Sequence, residues 1–171
     1  MAIKATVFKA ALQVADMDRH YYAEHALTQA RHPSETDERM MVRLLAFALY
    51  ADDALTFGKG MSSDEEPDLW HKDLTGAIER WIEVGLPDER AIRKASGRAG
   101  QVVVISYGRA AHIWWNENRD KLQRLNNLTV IKLASAARAS VVSLLRLSTV
   151  RLFRRCNLSR FSFHQICAAR P

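Results

Sequence analysis

Apolar and polar positions alternate loosely over residues 3–14. Ala5, Val7, Lys9, Ala11 and Gln13 share one face, and Thr6, Phe8, Ala10, Leu12 and Val14 share the other. Residues 20–31 are rich in His and Tyr and read as a second strand, and the polar link between the two, residues 15–19, is short. The pair predicts a β-hairpin. After Pro33 the period changes. Ser34 is a good N-cap, Asp37 follows three residues later close to a capping box, and Glu35, Asp37 and Glu38 suit the positive end of a helix. Met41, Leu44, Leu45, Ala48 and Leu49 then fall at helical spacing. Glu38 shares their face. It is either a charge on the helix dipole or an acid aimed at a site.

Further along, residues 55–61 read as a strand broken by Gly58 and Gly60, and residues 62–66 as an acidic loop. Residues 68–73 and 77–85 are two more strand candidates, and residues 88–97 form a helix capped by Asp88. The β-branched run 102–107 suits a strand covered on both faces. A helix over 110–125 and a short strand over 128–133 complete the regular part. Strand, helix and strand over 80–107 predict a right-handed parallel crossover. The fold class expected is α/β, a mixed sheet flanked by helices and preceded by the hairpin.

The 171 residues suit one domain, and an apolar fraction of 48% supplies a core. No run approaches the ~20 apolar residues of a membrane helix. The first residues carry no leader pattern, so a cytoplasmic protein without a membrane partner is expected. Cys156 and Cys167 fit no common zinc spacing and are expected as free thiols. Charge divides the chain. Residues 1–120 hold 15 basic and 19 acidic residues, a net of −4, whereas residues 121–171 hold 10 basic residues and no acid. The basic character therefore belongs to the tail, since a folded surface normally mixes both signs.

Glu83 is the informative acid. It lies inside the apolar run of residues 80–85, where a carboxylate is costly without a cation, metal or proton. Asp68 follows Pro67, fifteen residues upstream. A hairpin between them would bring both acids together, and alternation puts Trp81, Glu83 and Gly85 on one strand face, opposite Ile82 and Val84. An acid after a proline, an acid on a strand and a lysine close behind outline a metal-dependent phosphodiesterase site. Such chemistry uses carboxylates to hold a hard ion such as Mg or Mn, the ion to activate water, and a cation to stabilise developing charge. His32 and His71 lack a partner at metal-ligand spacing and read as structural hydrogen-bonders. Trp70, Trp81, Trp114 and Trp115 read as packing before base-stacking platforms. No phosphate loop, dinucleotide fingerprint or nucleophile elbow appears. Ser106 and Tyr107 have no histidine partner for acyl transfer.

Residues 29–41 with 43–46, 64–70, 81–90 and 113–115 carry a resemblance. Gln29-Ala30-Arg31-His32-Pro33-Ser34-Glu35-Thr36-Asp37-Glu38-Arg39, Glu66-Pro67-Asp68-Leu69-Trp70 and Trp81-Ile82-Glu83-Val84-Gly85-Leu86-Pro87-Asp88 resemble the YaeQ family of small bacterial proteins, over about residues 1–133. The family's fold is similar to the PD-(D/E)XK endonuclease superfamily. The resemblance implies that fold and no settled activity. It implies Asp68 and Glu83 as the metal-holding, catalytic acids, and Glu38, placed by its helix face, would be an outer acid. Gly85 stands where many members of the superfold carry lysine, and some take the lysine from the next helix. Lys94 is then the candidate, with Arg90 and Arg93 beside it and Lys59 and Lys72 as weaker alternatives. The bland alternative is a solvated helix face. The function expected is a metal-dependent nuclease-like protein acting on DNA or RNA. Its alternative is a non-catalytic module on the same scaffold, binding nucleic acid or protein.

The resemblance stops near Leu133. Residues 134–171 are rich in Arg, Ser, Leu and Ala, and the change suggests a shifted reading frame, or else a genuine basic tail for a nucleic acid or membrane surface. Residues 141–153 hold enough Leu and Val for a helix. Loss of the family's terminal strands would expose a sheet edge and favour self-association.

Overall fold

The computed structural model describes residues 5–59, 65–134 and the backbone of 149–154. The hairpin forms as predicted. β1 (Thr6–Asp16) pairs antiparallel with β2 (Tyr21–Arg31) in one unbroken register, and His20 closes the turn at φ 53°. α1 (Asp37–Leu49) begins two residues later than Ser34 suggests. Thr36 is the cap, and its hydroxyl accepts the Arg39 N–H at 3.2 Å.

β3 (Leu55–Phe57), β4 (Leu69–Lys72), β5 (Ile78–Val84), β6 (Ala99–Ser106) and β7 (Leu128–Lys132) form one five-stranded sheet in chain order. Pairing is antiparallel through β5 and parallel from β5 to β7. Helix α2 (Glu89–Ser96) carries the chain from β5 to β6, and α3 (Ala111–Leu122) from β6 to β7. The turn between β4 and β5 is held by Asp73, whose Oδ1 accepts from the N–H groups of Thr75 and Ala77 at 2.8 Å. An Asx turn of this kind fixes the hairpin register. That register pairs Leu69 with Ile82, so one further step sets Asp68 opposite Glu83.

The apolar pattern separates two cores. Ile82, Val84, Val103 and Ile105 face α1, which also receives Leu12 and Val14 from the hairpin. α1 therefore lies between two sheets, and every residue from Met40 to Leu49 is buried. Trp81, Val102 and Val104 face the other way, onto Ile92 and Ala95 of α2 and Trp114 and Leu122 of α3. Each fully buried aliphatic or aromatic side chain here contributes about 1.5–3 kcal/mol.

The tail departs from expectation in one respect. Thr149–Arg154 is a strand, β8, paired parallel with β1, where a helix over 141–153 is suggested by composition. The rest of the tail, with Cys156 and Cys167, lies outside the described residues.

Candidate carboxylate–arginine site

Asp68 is 1% exposed although its strand begins one residue later. Its carboxylate is held from three directions. Arg39 Nη2 lies 2.8 Å from both Oδ1 and Oδ2, the Val84 N–H donates to Oδ2 at 2.8 Å, and Arg43 Nε stands 3.4 Å from Oδ1. Glu35 braces both arginines, accepting from Arg39 Nη1 at 2.9 Å and from Arg43 Nη1 at 3.1 Å. Arg39 and Arg43 share one face of α1 at a spacing of four, and Glu35 stands just before the Thr36 cap, where it meets both.

Burial raises the Asp68 carboxyl above its ordinary value, and Arg39, Arg43 and the Val84 N–H pull it back. Burial works against the Arg39 charge, but Asp68 and Glu35 outweigh it and raise that group. Both Asp68 oxygens accept from N–H donors, which favours the carboxylate and opposes the effect of burial.

Glu83 has another environment. It shares a strand face with Trp81, whose indole N–H donates to Oε1 at 2.8 Å. Burial, and next the Asp68 charge, push its carboxyl up from 4.5 to about 7, with Trp81 and Arg39 opposing. Arg39, Glu83, Val84, Gly85, Leu86, Pro87 and Tyr107 line an open cleft of about 490 Å³ at the C-terminal ends of β5 and β6. Open α/β sheets bind ligands in this place. Trp114 supports the rim by donating its indole N–H to the Pro87 carbonyl at 3.0 Å.

Gly85 stands where the family resemblance would lead one to expect the lysine of many members of the superfold. Its φ of +118° is a conformation that L side chains rarely adopt, although a Cβ there would meet nothing within 4 Å. The obstacle to lysine is the backbone, not space. The cation beside the acids is instead Arg39, which sequence reasoning overlooked. The available signal was Arg43 inside the apolar stretch of α1, four residues after Arg39 and eight after Glu35.

The expected residues separate. Asp68 and Glu83 come together. Glu38 is part-buried, and its charge reaches Tyr107, whose hydroxyl is raised first by burial. Lys94 is exposed and pairs with Glu65 at 2.5 Å, beside Arg98, so its described partner is outside the site. Arg93 pairs with Glu89, and Arg90 is exposed. Lys59 binds Glu66, and Lys72 lies over the Trp70 ring. His71 lies between Asp52 and Glu79, and His32 accepts the Ser34 N–H.

Hard divalent ions need free oxygen donors. Asp68 has committed its oxygens to N–H donors, which leaves Glu83. Among the described residues no group of three or more His, Cys, Asp or Glu is placed to hold a metal. As arranged, the acids do not fit a Mg or Mn ion.

These features define a mixed α/β protein with a carboxylate–arginine cluster at the sheet's C-terminal edge. The family model described as YaeQ protein matches residues 1–152, so the chain belongs to the YaeQ family. The match runs past residue 133. It is 50% identical over 131 residues to the Escherichia coli (strain K12) protein titled Uncharacterized protein YaeQ, covering 76% of this chain and 72% of that one. The same figures hold for the protein of that title from Salmonella typhi. The crystal structure of YaeQ protein from Xanthomonas axonopodis pv. citri is 52% identical with a TM-score of 0.81, covering 88% of this chain and 85% of that one. That from Pseudomonas syringae is 33% identical with a TM-score of 0.79, covering 87% and 82%. Among the described residues no helix is long and apolar enough to cross a membrane.

Proposed function

We propose that this YaeQ-family chain is a non-catalytic binding module on a PD-(D/E)XK-like scaffold, with the cleft over Gly85 as its contact surface. The observation carrying this reading is the closed Asp68 carboxylate. An acid that is to hold a catalytic ion needs open lone pairs, and these are filled by the protein's own guanidinium. A partner group entering the cleft meets Leu86, Pro87 and Tyr107 as walls and Glu83 and Arg39 as charged or polar contacts. The net −4 of residues 1–120 favours a protein partner over nucleic acid, because phosphate backbones attract basic surfaces. Incubation with DNA and RNA, with Mg or Mn present, tests both halves. The expected result is no cleavage above that of Glu83→Gln, and no affinity that falls steeply with salt. Metal-dependent cleavage lost in Glu83→Gln overturns the reading.

One observation favours the second reading, a Mg- or Mn-dependent nuclease with Asp68 and Glu83 on the metal and Glu38 and Lys94 around it. With Glu83 ionised, the three acids Glu35, Asp68 and Glu83 face two arginines, which leaves one uncompensated negative charge. A cation would offset it. In that reading Arg39 releases Asp68 first, and the same cleavage assay decides.

A further inference from the structure

We propose that Arg39 is the resident cation of this site and the barrier to a metal, so that removing its charge opens Asp68 and Glu83 to a divalent ion. The inference rests on the non-catalytic reading above and adds the device that enforces it.

Position supports it. Arg39 lines the cleft and Asp68 does not. The guanidinium therefore stands between the open space and the buried carboxylate. The Arg39 side chain is 17% exposed against 1% for Asp68. Nη2 sits 2.8 Å from both carboxylate oxygens and so takes up acceptors that Asp68 would need to hold an ion. Taking Arg39 away would leave Asp68 facing the same open cleft as Glu83, with an entry path from solvent.

Charge supports it too. Glu35 and Asp68 are paired with Arg39 and Arg43. Without Arg39 both acids face Arg43 alone, with the Glu83 carboxyl beside them, and a cation would offset the deficit. Arg43, 2% exposed and bonded to Glu35, remains to hold the frame. The Val84 N–H still orients Asp68. The backbone at Gly85 bars a lysine at that position from taking over the charge.

The experiment titrates Mn²⁺ by calorimetry into the wild type, Arg39→Gln and Arg39→Gln/Glu83→Gln, with thermal melts of all three with and without Mn²⁺. Saturable one-site binding is expected in Arg39→Gln, at least tenfold tighter than any wild-type binding and lost in the double variant. Arg39→Gln loses a buried ion pair and starts less stable, so the melts carry the test if it is partly unfolded. Mn²⁺ then raises the Arg39→Gln midpoint and leaves the wild type and the double variant where they were, because a ligand of the native state shifts unfolding. Saturable Mn²⁺ binding to the wild type as tight as that to Arg39→Gln overturns the inference, as does an Arg39→Gln protein that neither binds nor is stabilised. Wild-type binding of that strength without cleavage sinks this inference alone, whereas wild-type cleavage sinks the function proposed above.

Discussion

Arg39 Nη2 stands 2.8 Å from each oxygen of Asp68, a residue 29 positions further along the chain. The contact ties α1, between the two sheets, to the segment entering β4. It decides both what holds this corner together and what the site can bind.

Asp68→Asn tests the first part. The amide keeps one acceptor oxygen where the carboxylate has two for Arg39 and the Val84 N–H, and it turns a donor toward the guanidinium groups of Arg39 and Arg43. Breaking one side of a buried pair costs about 3–5 kcal/mol, because the other charge stays buried. The urea midpoint should fall accordingly with an unchanged slope. A loss under about 1 kcal/mol would mean that water, not Asp68, compensates the arginines.

The strands and helices were legible from several local signals: the hairpin alternates, α1 follows a capping signal, and β6 is a continuous β-branched run. Asp68 and Glu83 were legible too: an acid after Pro67 and an acid inside an apolar strand are both local anomalies. Arg39 and Arg43 were not, because their meaning depends on a partner brought in by tertiary structure. Lys94 was suggested by its closeness in sequence to Glu83, which says nothing of closeness in space; its described partner is Glu65. The Gly85 backbone angle leaves no trace in composition beyond the glycine itself.

Glycine substitutions separate strain from clash. Gly85→Ala meets open space but holds φ +118°, so it should cost about 1–3 kcal/mol with no change in the cleft's neighbours. At Gly58 a Cβ would lie 2.0 Å from the Pro67 carbonyl oxygen, and the Gly58 N–H binds the Asp68 carbonyl at 2.9 Å. Gly58→Ala must therefore shift the segment that carries Asp68, and should lower the unfolding midpoint more than Gly85→Ala. Equal losses in chemical denaturation would contradict this.

Lys94→Ala checks the placement of that lysine. Its Nζ binds Glu65, and the charges acting on Glu83 are those of Asp68 and Arg39. The Trp81 indole N–H resonance reports on Glu83 through their hydrogen bond. Its pH titration should be the same in wild type and Lys94→Ala. A midpoint that rises in the variant would return Lys94 to the site.

Glu83 gives the pH dependence its sign. Burial first, and the Asp68 charge second, raise its carboxyl from 4.5 to about 7 in the folded protein. The native state therefore holds a proton that the unfolded chain has released between those values. Its stabilising contribution is complete below about pH 4.5, declines as pH rises, and is gone above about pH 7. The full span is roughly 3 kcal/mol, from 1.36 kcal/mol per pKa unit. Glu83→Gln stays neutral at every pH, and its side-chain oxygen can still accept from Trp81. Urea denaturation of both proteins from pH 4.5 to pH 8 should show Glu83→Gln gaining on the wild type by roughly that amount, most of it between pH 5 and pH 7. A difference that stays flat would mean that Glu83 is already ionised at pH 5, with a cation in the cleft beside it.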